Sequence, residues 1–155
     1  MKLRIVALGH RMPAWVATGY AEYAKRVPHE YAVDLVELKP ASRASGKSVA
    51  QLLVAEGVRI RAACAGCTLV ALDECGEAWT TRQLADRLQR WRDSAQDVAF
   101  VVGSADGLDN ALKRDASAVF ALSALTLPHG LVRIILAEQL YRAASVLAGH
   151  PYHRD

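Results

Sequence analysis

Short apolar runs alternate with longer stretches of helical period along almost the whole chain. Residues 2–8 form an apolar-rich run closed by Gly9, which predicts a first strand. A helix is expected from near Pro13, a residue suited to a first helical turn. Trp15, Val16, Gly19, Tyr20 and Tyr23 then recur at helical spacing, and Pro28 ends the run. Residues 32–38 set Val33, Leu35, Val36 and Leu38 against Asp34 and Glu37, the alternation of a second strand. Residues 39–48 are small, polar and basic and read as a mobile loop. Helical period returns over 49–65, and residues 68–72 make a short strand. Thr80 or Thr81 can cap a helix carrying Leu84, Leu88 and Trp91 on one face. Residues 98–102 are continuously apolar up to Gly103, as suits a parallel strand buried on both faces. A short helix near Asn110, a last strand over 119–122 and a last helix over 131–147 complete the order.

Strands alternating with helices imply an α/β fold, a mostly parallel sheet with helices on both faces, here as a single domain over residues 1–155. The last helix is unusual. Leu131, Val132, Ile134, Ile135, Leu136, Leu140, Tyr141, Val146 and Leu147 occupy nearly its whole circumference, whereas a surface helix needs one apolar stripe. It is expected to be covered by its own sheet on one side and by a second copy of the chain on the other, with a central helix in a monomer core as the alternative.

Composition narrows the class. With 155 residues, 52% of them apolar, the chain can bury one core and is no disordered segment. The longest uncharged stretch, 116–132, is broken by Ser117, Ser123, Thr126 and Pro128-His129-Gly130, which makes a poor membrane span. The first residues read as a strand and not as a signal peptide, so a cytoplasmic protein is expected. A net charge of +3 permits a nucleic-acid partner without requiring one.

Four places carry candidate chemistry. Cys64-Ala65-Gly66-Cys67 has CxxC spacing. It lies where a helix ends and a strand begins and has no second ligand pair nearby, so buried structural thiols are the expectation and no metal is. Gly103-Ser104-Ala105-Asp106-Gly107 follows a buried strand, where glycine lets a ligand approach the backbone; an ordinary strand-to-helix turn fits equally well. Leu122-Ser123-Ala124-Leu125-Thr126-Leu127-Pro128-His129 is an apolar loop that must be packed, against its own core or around a flat ligand read by backbone groups. The tail, His150-Pro151-Tyr152-His153-Arg154, combines aromatic and basic groups able to stack on a splayed RNA base, though a solvated tail has the same composition.

Taken together, these pieces resemble the RlmH family of SPOUT methyltransferases, which modify N3 of a pseudouridine in the 23S rRNA of bacteria. The resemblance begins with Met1-Lys2-Leu3, Met12-Pro13, Trp15-Val16, Gly19 and Glu22-Tyr23, and continues through Leu72-Asp73, Gly76 and Trp79. It is strongest from residue 122 through Leu131-Val132-Arg133 and Ala137-Glu138-Gln139-Leu140-Tyr141-Arg142-Ala143 to the tail. It implies a C-terminal trefoil knot, S-adenosylmethionine as methyl donor, a homodimer and action on the ribosome. By resemblance the donor is held by Leu72, Gly103 and the loop residues Leu122, Ser123, Ala124, Leu125, Thr126 and Leu127. The tail is expected to reach an active site, that of the same chain or of the partner. In one place the chain departs from the family, whose glycine loop usually reads Gly-Gly-Pro-Glu-Gly; Ser104 here brings a side chain beside the donor's backbone neighbours, with a modest change in affinity expected.

For the reaction, Arg142, Tyr152 and Arg154 are the candidates to hold the target base. His129 or His153 is the candidate base, with water an open alternative. Lys39, Arg43 and Lys47 are candidate ligands of rRNA phosphates. Two rivals stand beside this reading: the same chemistry on another RNA such as tRNA, and a ribosome-binding protein without activity.

Overall fold

The computed structural model describes residues 1–154. Its strands are β1 (Leu3–Leu8), β2 (Val33–Leu38), β3 (Thr68–Ala78), β4 (Val98–Val102) and β5 (Ala118–Ala121). Its helices are α1 (Ala14–Ala24), α2 (Val49–Ala63), α3 (Thr81–Asp93), α4 (Asn110–Asp115) and α5 (His129–Leu147), with a short 3-10 turn at His29–Tyr31. The sheet has order β2-β1-β4-β3-β5, and every pairing in it is parallel.

Right-handed crossovers explain which helix lies where. The chain steps one way along the sheet through α1 and α3 and the other way through α2 and α4. A right-handed connection places a helix on one face for the first direction and on the opposite face for the second. Accordingly Leu84 and Leu88 of α3 and Leu136 and Leu140 of α5 share a core with Ile5, Val70 and Phe100. Ile60 of α2 and Leu112 of α4 pack on the other face, against Val6, Ala71 and Val101. Every residue of β4 is buried, as its continuous apolar run required.

Two helices begin with reciprocal caps: Ser48 with Gln51 and Thr80 with Gln83. Thr80, not Thr81, is thus the cap of α3. Helix α5 starts two residues earlier than its apolar run suggested, because Pro128 precedes the first turn and His129 enters it. Its apolar circumference is accounted for largely within the chain, since it packs between α1 and α3 as well as on the sheet. Leu131 on α5 and Trp15 on α1 remain exposed, at 37% and 56%.

The larger difference lies in β3. Its expected end at Leu72 is instead a register shift against β5, after which Glu77 and Ala78 pair again with Phe120 and Ala121. Charge in Asp73, Glu74 and Glu77 hid this extension from the apolar pattern. The loop 39–48 is also held more firmly than its composition suggested, through Ala41 and Arg43 to Glu56.

Candidate functional site

The carboxyl ends of β1, β3 and β4 meet the loop after β5 at one edge of the sheet. Loops leaving β3 and β4 depart toward opposite faces, which opens a crevice where parallel sheets commonly take ligands. It has a volume of about 1240 Å³. Of the residues expected to hold a donor, Leu72, Gly103, Leu122, Ser123, Leu125, Thr126 and Leu127 line it, and Ala124 alone does not.

Local geometry fixes these walls. A Cβ on Gly103 would lie 2.6 Å from the carbonyl oxygen of Gly107, so only glycine fits where the loop doubles back. Gly107 closes that turn at φ +84° and donates its N–H to the Ser104 carbonyl at 2.9 Å. In the 123–127 segment the Leu125 N–H is satisfied by the Ser123 hydroxyl at 2.9 Å. The N–H groups of this segment make no hydrogen bond to another backbone group. Apart from that of Leu125, they have no hydrogen-bond partner among the described residues and can serve a ligand.

A buried arginine braces the floor. Arg133, 1% exposed, donates from Nε to His129 Nε2 at 3.0 Å, from Nη1 to Glu37 at 2.7 Å, and from Nη2 to the Gly9 carbonyl at 2.6 Å. His129 Nδ1 lies 2.9 Å from the Gly103 carbonyl. Because Nε2 accepts from Arg133, the ring proton sits on Nδ1 and is donated to Gly103. The ends of β1, β2 and β4 are thus tied to the first turn of α5 through one guanidinium and one imidazole. Burial, and next the Arg133 charge, hold the His129 pKa below its ordinary value.

At the mouth, Lys113 pairs with Asp73 at 3.0 Å and the Thr126 hydroxyl donates to Glu74. Burial raises the Asp73 pKa, but the Cys75 N–H and the Lys113 ammonium outweigh it and hold the carboxyl below its usual range.

The tail groups assemble elsewhere. Glu138 accepts from Arg142 Nε at 2.8 Å and from the Tyr152 hydroxyl at 3.0 Å. The Arg142 guanidinium lies 4.7 Å from the Tyr152 ring centre, and the Tyr141 and Tyr152 rings are 4.4 Å apart. His153 Nε2 is 3.4 Å from Arg82. Arg154 is exposed, and Asp155 lies outside the described residues. From His129 to Arg142 along α5 is about 20 Å at 1.5 Å per residue, so the tail cluster and the crevice occupy opposite ends of that helix.

Of Lys39, Arg43 and Lys47, only Arg43 lines the crevice. Four of its N–H directions are committed inside the protein, to Asp106, Ala41, Glu56 and Ser104. The Cys64 thiol is buried at the end of α2, and burial, with Cys67 second, pushes its pKa up to about 11, so it is no ready nucleophile. Among the described residues no cluster of three or more metal-binding side chains occurs. No helix among them is long and apolar enough to cross a membrane.

Sequence reasoning passed over Glu37 and Glu56 and gave Arg133 no role. Arg133 and Glu56 did leave a signal: each is a charge within the apolar stripe of its helix, Arg133 beside Leu136 and Leu140, Glu56 between Leu52 and Ile60.

A doubly wound parallel sheet with a crevice at its carboxyl edge is the architecture in which α/β proteins commonly take small ligands. The chain belongs to the SPOUT methyltransferase family: the family model described as "Predicted SPOUT methyltransferase" matches residues 1–153. It is 58% identical, over 99% of both chains, to "Ribosomal RNA large subunit methyltransferase H" of Nitrosospira multiformis. It is 53% identical, again over 99% of both, to the protein of that name in Burkholderia cenocepacia. Among solved structures it shares its fold with a "Probable Methyltransferase" of Bordetella pertussis Tohama I. The TM-score there is 0.58 at 18% identity, over 92% of this chain and 95% of that one. A "probable methylase family protein" of Haemophilus influenzae Rd KW20 gives 0.59 at 15% identity, over 99% of this chain and 70% of that one.

Proposed function

We propose that this protein transfers a methyl group from S-adenosylmethionine to N3 of a pseudouridine in 23S rRNA, acting on the ribosome in the cytoplasm as a homodimer. Full-length relatives above 50% identity that carry a large-subunit rRNA methyltransferase name support the substrate class. The crevice supports the donor: apolar walls at Leu72, Leu122 and Val132 suit a purine, and the unpaired backbone N–H groups of Ser123, Thr126 and Leu127 suit its edges. When bound, S-adenosylmethionine supplies a methyl group on a sulfonium.

The separation along α5 carries the reading of the assembly. Arg142, Tyr152 and Arg154, the candidates to hold the target base, are about 20 Å from the crevice of their own chain by helical rise. An antiparallel pairing of two copies through the exposed Trp15 and Leu131 side of α1 and α5 brings the tail of one copy to the crevice of the other. The C-terminal trefoil knot implied by the family resemblance is part of the same proposal.

The residues then divide the work. Arg142 and Tyr152 stack on and orient the base, Arg154 stabilises the anion formed when the ring nitrogen loses its proton, and His153 or water accepts that proton. His129 does not serve as the base, since its only lone pair on nitrogen is held by Arg133. It positions Gly103 instead. Lys39 and Lys47 remain the candidates for rRNA phosphates.

The test is transfer of labelled methyl from S-adenosylmethionine to assembled ribosomes, protein-free rRNA and tRNA. Label at N3 of a 23S pseudouridine, strongest with ribosomes, is expected. Label on tRNA alone would favour the rival substrate, and ribosome binding without donor binding would favour an inactive homologue.

A further inference from the structure

The carboxylate of Glu56 has no part in the steps above, yet it is a buried charge, 2% exposed, in the middle of α2. Its Oε1 accepts from the Ala41 N–H at 2.9 Å and from Arg43 Nη1 at 2.8 Å. Its Oε2 accepts from the Ser104 hydroxyl at 3.1 Å. Arg43 extends the cluster: Nε donates to Asp106 at 2.9 Å, Nη2 to Ser104 Oγ at 2.9 Å, and Nη1 also to the Ala41 carbonyl at 2.9 Å. The loops 39–48 and 103–107 share no backbone hydrogen bond, so these side chains are what joins them.

Such a cluster behaves as a unit. A carboxylate withdrawn from water is tolerable only when paired and hydrogen-bonded, and losing one partner leaves the charge uncompensated. The planar fork of arginine bonds its partners in fixed directions, which a lysine does not reproduce. Ser104 and Arg43 line the crevice, whereas Glu56 stands behind them and reaches it only through them.

We propose that Glu56 is a positioning residue for methyl transfer: acting through Arg43 and Ser104, it latches the loop 39–48 onto the loop 103–107. The donor wall and the basic loop that faces RNA then take up their places together. This rests on the reading of the crevice as the donor site. Coupling of this kind is reciprocal, so ordering either loop favours binding at the other. The hydroxyl of Ser104 is held between Arg43 and Glu56 and so serves the latch.

The test compares full-length Glu56→Gln, Arg43→Lys and Ser104→Ala with the wild type. Three readouts serve: calorimetric titration with S-adenosylmethionine, amide exchange over residues 39–48, and the split between KM for the donor and kcat. The latch predicts donor binding at least about 5-fold weaker in Glu56→Gln and Arg43→Lys. It also predicts faster exchange at Ala41, a KM effect larger than the kcat effect, and a smaller shift in the same direction for Ser104→Ala. Arg43→Lys and Ser104→Ala alter partly exposed side chains, so they decide the matter if Glu56→Gln fails to fold. Wild-type donor affinity in the folded variants overturns the latch alone. A wild type that binds no donor overturns the donor reading and this proposal with it.

Discussion

Arg133 shows how a single residue sets the geometry of the crevice. A guanidinium that is 1% exposed is a heavy desolvation cost, offset here by four contacts to acceptors on two strand ends and one helix. Arg133→Met keeps the volume but leaves the Gly9 carbonyl and His129 Nε2 unpaired. It should lower stability by about 3 kcal/mol, read from urea midpoints with donor absent. His129 gives a pH dependence whose sign follows from its lowered pKa. The unfolded chain binds the proton more readily than the folded one, so stability from this group is complete above the ordinary value of 6.5 and is lost as pH falls below it. Urea midpoints taken from pH 7.5 down to 5.5 should therefore fall in the wild type and fall less in His129→Gln. An equal fall in both would remove His129 as the cause.

At the scale of elements, the sheet and its helices were legible because buried parallel strands need apolar runs, and β4 is one without interruption. What stayed hidden depended on partners distant in sequence. The second half of β3 is charged and is a strand only because β5 lies beside it. Glu56 stood out only as a charge in the apolar stripe of α2, and its partners in the loop 39–48 became visible only once that loop was placed over it. The loops proposed to hold the donor could be named from family resemblance, but the commitment of His129 Nε2 to Arg133 required the first turn of α5 to be placed against β1. The turn 103–107 makes a sharp prediction. In Gly103→Val the added Cβ meets the Gly107 carbonyl at 2.6 Å. Overpacking of about 1–3 kcal/mol there should weaken S-adenosylmethionine binding by about 10-fold or more, measured by calorimetry on protein whose circular dichroism matches the wild type.

For the whole molecule, α5 places the crevice and the tail at opposite ends of one rod, and in the proposed dimer each chain would contribute halves to two different sites. Arg154→Ala should therefore nearly abolish methylation while leaving donor binding intact, and calorimetry beside a turnover assay separates the two. Loss of donor binding in that variant would move the tail to the crevice of its own chain. Two copies sharing their tails would also explain why Trp15 and Leu131 stay uncovered in one chain.

The most direct test of this arrangement is complementation. Gly103→Val and Arg154→Ala chains, carrying different tags, are co-expressed, and methylation of ribosomes is compared with each parent and with the wild type. Random pairing makes half of the dimers mixed, and one of the two sites in each mixed dimer joins an intact crevice to an intact tail. The account thus predicts recovery to about a quarter of wild-type activity from two nearly inactive parents. A mixed dimer as inactive as its parents, beside an active wild type, would contradict it and place crevice and tail in the same chain.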